Sequence, residues 1–195
     1  MLDTIQNIDF AILHWIHNNL QCNFLDFIMP KITALGSSGA IWIIVAIAFL
    51  ISKKYRKYGI ILSIGLIMSL LIGNLLLKPL VARPRPCCIE SNYPLLVSNP
   101  TDYSFPSGHT LASTISAVII TYADKKFGII AIILATLITF SRLYLFVHFP
   151  SDVFAAIILG VIIGLFAIFV FNFVTHIVKR KLNKIKFIDF YDLFV

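Results

Sequence analysis

The stretch SRLYLFVHFPSDV, residues 141–153, sets an arginine, a histidine and an aspartate within a few positions of one another in a very apolar chain. Apolar residues make up 59% of the 195 and charged residues only 13%, whereas soluble domains carry roughly 45–50% apolar residues. Mean hydropathy is +0.92. Ionisable groups are costly to remove from water unless they are paired or reach a polar cavity. Arg142, His148 and Asp152 therefore point to a place where a membrane span ends and chemistry is done.

Working outward from that stretch, long apolar runs recur along the chain, each near the ~20 residues that cross a hydrocarbon core. Five crossings are predicted, at residues 35–52, 58–77, 107–122, 127–147 and 151–178. Lipid offers no partner to open backbone groups, so each must be helical. The fold class expected is an all-α integral membrane helical bundle, with a sixth helix if the N-terminal segment also spans. That segment holds two short amphipathic stretches, LDTIQNIDFAILHWIHNNL and FLDFIMPKITALG. They are read as lying on the outer surface; as an irregular sixth span they would move the N-terminus inside. The N-terminal MLDTIQNIDF lacks the basic region of a signal peptide. Three regions follow: 1–34 amphipathic, 35–178 a transmembrane core, and 179–195 a basic cytoplasmic tail.

The net charge of +7 does not read as nucleic-acid binding, because its excess lies in three clusters beside apolar runs. These are KKYRK from Lys53, DKK from Asp124 and KRKLNKIK from Lys179. With KKYRK placed inside, the predicted crossings bring the other two clusters to the same side, as the positive-inside pattern requires. Contact with anionic lipid head groups is expected there. The polar loop from Lys78 to Phe105 and the turn around His148 then fall outside.

Three polar clusters share that outer face: KPLVARPRP from Lys78, FPSGHT from Phe105, and the opening stretch. Lys78, Arg85 and Arg142 supply positive charge, and guanidinium forks match phosphate oxygens. Ser107 and Gly108 read as a helix start, whose free N–H groups favour an anion. His148, with Asp152 four residues on to accept one ring N–H, can act as nucleophile or base. His109 is the candidate acid for a leaving group. No carboxylate cluster suited to magnesium appears nearby, so no metal and no cofactor is called for.

The order K-x6-RP, PSGH and SR-x5-H-x3-D, carried by Lys78, Arg85, Pro86, Pro106 to His109, Ser141, Arg142, His148 and Asp152, resembles the type 2 phosphatidic acid phosphatase superfamily. That superfamily includes membrane lipid phosphatases and the vanadium haloperoxidases. The resemblance implies a histidine nucleophile at His148, a leaving-group acid at His109, and phosphate binding by Lys78, Arg85, Ser107, Gly108 and Arg142. It implies a multi-pass cell-membrane enzyme with an extracytoplasmic site that hydrolyses a lipid phosphate or diphosphate through a phosphohistidine. Undecaprenyl diphosphate is the favoured substrate. Phosphatidylglycerophosphate, phosphatidic acid and transfer to a second acceptor are the alternatives.

Arg83 exceeds the motif and is left between a second phosphate, a head group and water. Cys22, Cys87 and Cys88 are read as free thiols. Asn74, one turn before Lys78, is read as a helix–helix contact or a support for that lysine.

Overall fold

Every apolar run forms helix, as backbone groups without water demand. The computed structural model describes residues 2–91 and 93–185; 186–195, most of the predicted basic tail, lie outside the described residues. In chain order the helices are α1 (Leu2–Leu20), α2 (Asn23–Gly36), α3 (Ala40–Ile51), α4 (Arg56–Met68), α5 (Lys78–Val81), α6 (Pro86–Ile89), α7 (Gly108–Ala123), α8 (Lys125–Tyr144) and α9 (Pro150–Ile185). A 3-10 turn, Ser37–Gly39, joins α2 to α3, and a π-helical stretch, Ser69–Leu77, joins α4 to α5.

Helix α7 is the axis of the bundle. It packs against α3, α4, α8 and α9, and its Leu111, Ile115 and Ile119 are fully buried with Ile61 and Leu62 of α4 and Ile138 of α8. Close approach is secured by small residues: a Cβ on Gly160 of α9 would lie 2.7 Å from Thr114. Packing of that kind, rather than hydrophobic exclusion, holds helices together in lipid. The outward faces of α8 and α9 are apolar, with Ile129, Ile133, Phe154, Ile162 and Phe169 exposed.

Four stretches among the described residues are long and apolar enough to cross a membrane: Asn23–Ile51, Arg56–Ile89, Lys125–Tyr144 and Pro150–Arg180. Two expectations change. The predicted crossing at 107–122 is α7, whose 16 residues fall short of the usual ~20 and whose sides are covered by its neighbours. The second amphipathic stretch is the upper half of the first crossing, because α2 continues through the 3-10 turn into α3. Its buried face, Met29, Thr33 and Gly36, turns toward α8.

Helix α1 is separate. It lies across the end of the bundle that carries the polar clusters, packing on α8 and α9, with Leu13 and Ile16 buried and Ile8 and Trp15 exposed. Beneath it, residues 145–149 leave the helix although the sequence reads them as a continuing apolar span. Phe146 takes a positive φ of 57°, and Leu145, Phe146, Val147 and Phe149 join Leu13, Ile16 and Met29 in a second core. Apolar residues can leave the helix here because α1 shields them.

At the opposite end, the Tyr55 hydroxyl donates to Asp124 at 3.2 Å, and Phe49, Tyr55 and Phe127 stack. The clusters beginning at Lys53 and Asp124 therefore share one end of the bundle, away from His148. The aromatic group beside them suits a membrane–water boundary.

Candidate active site

Each predicted residue sits at the tip of a helix. Pro150 opens α9, and the Asp152 carboxylate reaches back to the Phe149 N–H at 2.9 Å, half of a capping box. This fixes Asp152 behind His148. Arg142 ends α8, Lys78 follows the π-helical stretch, and His109 lies in the first turn of α7. Wide turns of this type interrupt α-helices chiefly at functional sites.

Lys78, Arg85, Gly108, His109, Arg142 and His148 line one cavity of about 980 Å³. It continues between α3 and α4 along Ile43, Ile47, Leu66, Ile67 and Leu70. One end is cationic and the other apolar. His109 Nε2 and Arg142 Nε are buried there without a hydrogen-bond partner. Unpaired buried donors are rare because each forfeits its hydration. Gly36 and Gly108 make room: a Cβ on Gly36 would lie 2.9 Å from His109 Cδ2, and one on Gly108 2.9 Å from Asn74 Oδ1. Asn74 therefore faces the start of α7 and the cavity.

His148 is 1% exposed. Arg85 Nη1 donates to its Nε2 at 3.0 Å and to the Val147 carbonyl at 2.6 Å. A guanidinium has no acceptor, so Nε2 carries the lone pair and Nδ1 the proton. Burial first, then the charges of Arg85, Arg142 and Lys78, pushes the His148 pKa well below its usual value. The ring is therefore neutral at neutral pH, with Nε2 available as a nucleophile.

The expected direct bond from His148 to Asp152 is lengthened to 3.7 Å. Ser104 stands between them. Its hydroxyl lies 3.4 Å from His148 Nδ1 and donates to Asp152 Oδ2, relaying the carboxylate to the ring.

Asp102 is a second unforeseen residue. Its carboxylate bridges Lys78 and Arg85, the latter at 2.7 Å. Burial alone would raise its pKa, but the two cations outweigh that and hold it down to about 2. Arg142 donates to the Thr33 hydroxyl of α2 at 2.6 Å. Ser107 occupies the cap position of α7 without capping it. Its hydroxyl accepts from Thr110 at 3.0 Å, and Ser107 does not border the cavity.

Arg83 faces neither water nor the cavity. It pairs with Asp152 at 2.6 Å and with Asp9 of α1 at 2.7 Å. Cys22, Cys87 and Cys88 are free thiols. Among the described residues no cluster of metal-ligating side chains occurs.

Of the unforeseen residues, Asp102 had a visible signal. It is one of two carboxylates in a loop that also carries Lys78, Arg83 and Arg85. Ser104 lies three residues before Ser107, near the motif but outside it. Thr33 and Asp9 come from the N-terminal stretches, where the sequence carries no local mark of a site.

The sequence profile of the PAP2 superfamily matches residues 58–176. The chain is 37% identical over 157 residues to a Sulfolobus acidocaldarius protein named undecaprenyl-diphosphatase, covering 80% of this chain and 75% of that one. It is 30% identical over 156 residues to undecaprenyl-diphosphatase BcrC of Bacillus subtilis, covering 80% and 78%. Among solved structures, a transmembrane PAP2-type phosphatidylglycerolphosphate phosphatase from Bacillus subtilis superposes with a TM-score of 0.70. It is 26% identical, with 84% of each chain covered.

Proposed function

The chain belongs to the PAP2 superfamily, and from that premise we propose that this membrane lipid phosphatase cleaves a lipid diphosphate through a phosphohistidine on His148. The favoured substrate is undecaprenyl diphosphate. The observation that carries the reading is the cavity itself. Two unpartnered buried nitrogens, on His109 and Arg142, sit beside Lys78 and Arg85 at one end, and an apolar channel leaves the other. A lipid places its phosphates against the cations while its tail follows Ile43, Ile47 and Leu70.

His148 Nε2 forms a bond to the terminal phosphorus as the P–O bond to the lipid phosphate breaks. His109 gives a proton to the departing oxygen. Water then adds to the phosphorus while His109 takes its proton, the N–P bond breaks, and inorganic phosphate leaves with neutral His148 restored. Lys78, Arg85, Arg142 and the first N–H groups of α7 hold the charge that builds on the phosphoryl oxygens. The basic clusters at the far end of the bundle support a site on the extracytoplasmic side.

The test is phosphate release by the purified protein in detergent from undecaprenyl diphosphate, phosphatidylglycerophosphate and phosphatidic acid. Undecaprenyl diphosphate is expected to have the highest kcat/KM, His148→Ala to have no turnover, and EDTA to leave the rate unchanged. Full activity in His148→Ala sinks the covalent route. A preference for phosphatidylglycerophosphate, the lipid named for the solved Bacillus subtilis structure, replaces the substrate. A phosphorylated acceptor in place of free phosphate makes the protein a transferase.

A further inference from the structure

Asp9 is an unusual residue for an amphipathic surface helix: it is 2% exposed. Its Oδ1 accepts from the Ser151 N–H at 2.9 Å, and its Oδ2 from the Ser151 hydroxyl at 2.5 Å and from Arg83 Nη2 at 2.7 Å. The other fork of Arg83, Nη1, donates to Asp152 Oδ1 at 2.6 Å and to the Ser151 hydroxyl at 2.7 Å. The guanidinium lies 4.0 Å over the Phe149 ring. One cation is thus wedged between two buried carboxylates, and none of its observed partners borders the cavity.

The arrangement divides the labour of the Asp152 carboxylate. Oδ1 is taken by Arg83, while Oδ2 faces the Phe149 N–H, the Ser104 hydroxyl and His148. Phosphorylation of His148 at Nε2, with Nδ1 still protonated, leaves the ring cationic, and a negative Asp152 steadies it. Paired with Asp152 alone, Arg83 would cancel that charge. With Asp9 on its other fork, the three groups keep a net charge of −1. A buried pair gains or loses far more from such a neighbour than an exposed one.

We propose that Asp9 and Arg83 are positioning residues for the reaction: Arg83 orients Asp152, and Asp9, brought in by α1, shares the guanidinium so that Asp152 keeps its charge toward His148. The first helix of the chain is then part of the catalytic apparatus and not only its cover. The inference rests on the His148 reading given above.

The test uses the full-length protein in detergent with undecaprenyl diphosphate. Asp9→Asn keeps the shape and an acceptor for Ser151 but loses the charge; it is expected to lower kcat about tenfold with KM within about twofold. Arg83→Met should cost a comparable factor. Asp9→Asn combined with Arg83→Met should fall no further than Arg83→Met alone, because Asp9 acts through Arg83. Asp9→Glu restores the charge and should hold kcat within about threefold of wild type; it carries the test if Asp9→Asn does not accumulate.

An unchanged kcat in Asp9→Asn with only a lower melting temperature makes the contact structural and overturns the proposal. So does full additivity in the double variant, or a loss in Asp9→Glu as large as in Asp9→Asn. Turnover surviving in His148→Ala instead overturns the nucleophile assignment, a failure distinct from these.

Discussion

The guanidinium of Arg85 stands 3.0 Å from the Nε2 of His148 and at the same time holds the carbonyl of the residue before it, Val147, at 2.6 Å. The nucleophile's ring and its backbone are fixed by one planar group that also reaches Asp102. A lysine supplies the charge but not the fork. Arg85→Lys should therefore lower kcat/KM by about two orders of magnitude, with a smaller change in melting temperature. Steady-state phosphate release checks it, and near-native kinetics would show that charge alone suffices.

The hydroxyl of Ser104 links His148 to Asp152. Ser104→Ala leaves the ring N–H without its nearer acceptor, and Asp152 still has the Phe149 N–H and Arg83. The expected cost is about 1 kcal/mol of stability and about a tenfold loss of kcat. Ser104→Thr keeps the hydroxyl and should recover part of the rate. Equal kcat in the alanine and threonine variants would show that no relay operates.

Asp102 sets a carboxylate on the cations proposed to receive phosphate. Asp102→Asn removes that competitor, so inorganic phosphate and vanadate should inhibit severalfold more tightly. Because the Asp102 pKa is depressed to about 2, the carboxylate is charged throughout the assay range, and the gain should be the same at pH 6 and pH 8. The sign for stability follows. The pairing contributes fully above the ordinary aspartate value of about 4 and is lost as pH falls through about 2. Inhibition that tightens only at low pH would contradict this.

Gly36 and Gly73 are both tight against a neighbour, but only one touches the site. A Cβ on Gly36 meets Ile138 at 2.8 Å and His109 at 2.9 Å; on Gly73 it meets Leu111 at 2.5 Å. Both alanine variants should be destabilised by about 1–3 kcal/mol through overpacking. Only Gly36→Ala should also lower kcat, since it displaces the proposed acid. Melting temperatures and kinetics on the pair separate the two effects, and equal kcat losses would remove the special place given to Gly36.

The motif residues were legible because each is a charged or ring-bearing group at the end of an apolar run, where only a purpose keeps it. Lys78, Arg85, His109, Arg142 and His148 accordingly meet at one cavity. Helical character was equally plain, since lipid leaves the backbone little choice. What was hidden depends on tertiary cover. Residues 145–149 look like span and are loop, because α1 lies above them. Residues 23–36 look interfacial but form the top of a crossing, with Thr33 turned to Arg142. Arg83 read as surplus until its two carboxylates, 74 and 69 positions away, were in place. Pairings at such separations leave no periodicity to read.

The widened stretch Ser69–Leu77 gives the second crossing a pitch that its neighbours do not share. Lys78 is aimed by that pitch. Loss of a single residue between Ser69 and Leu77 would swing everything beyond it by ~100°, carrying the ammonium group from the head-group pocket toward the acyl chains. Length within this stretch, more than side-chain identity, is what a redesign or a drifting lineage must preserve.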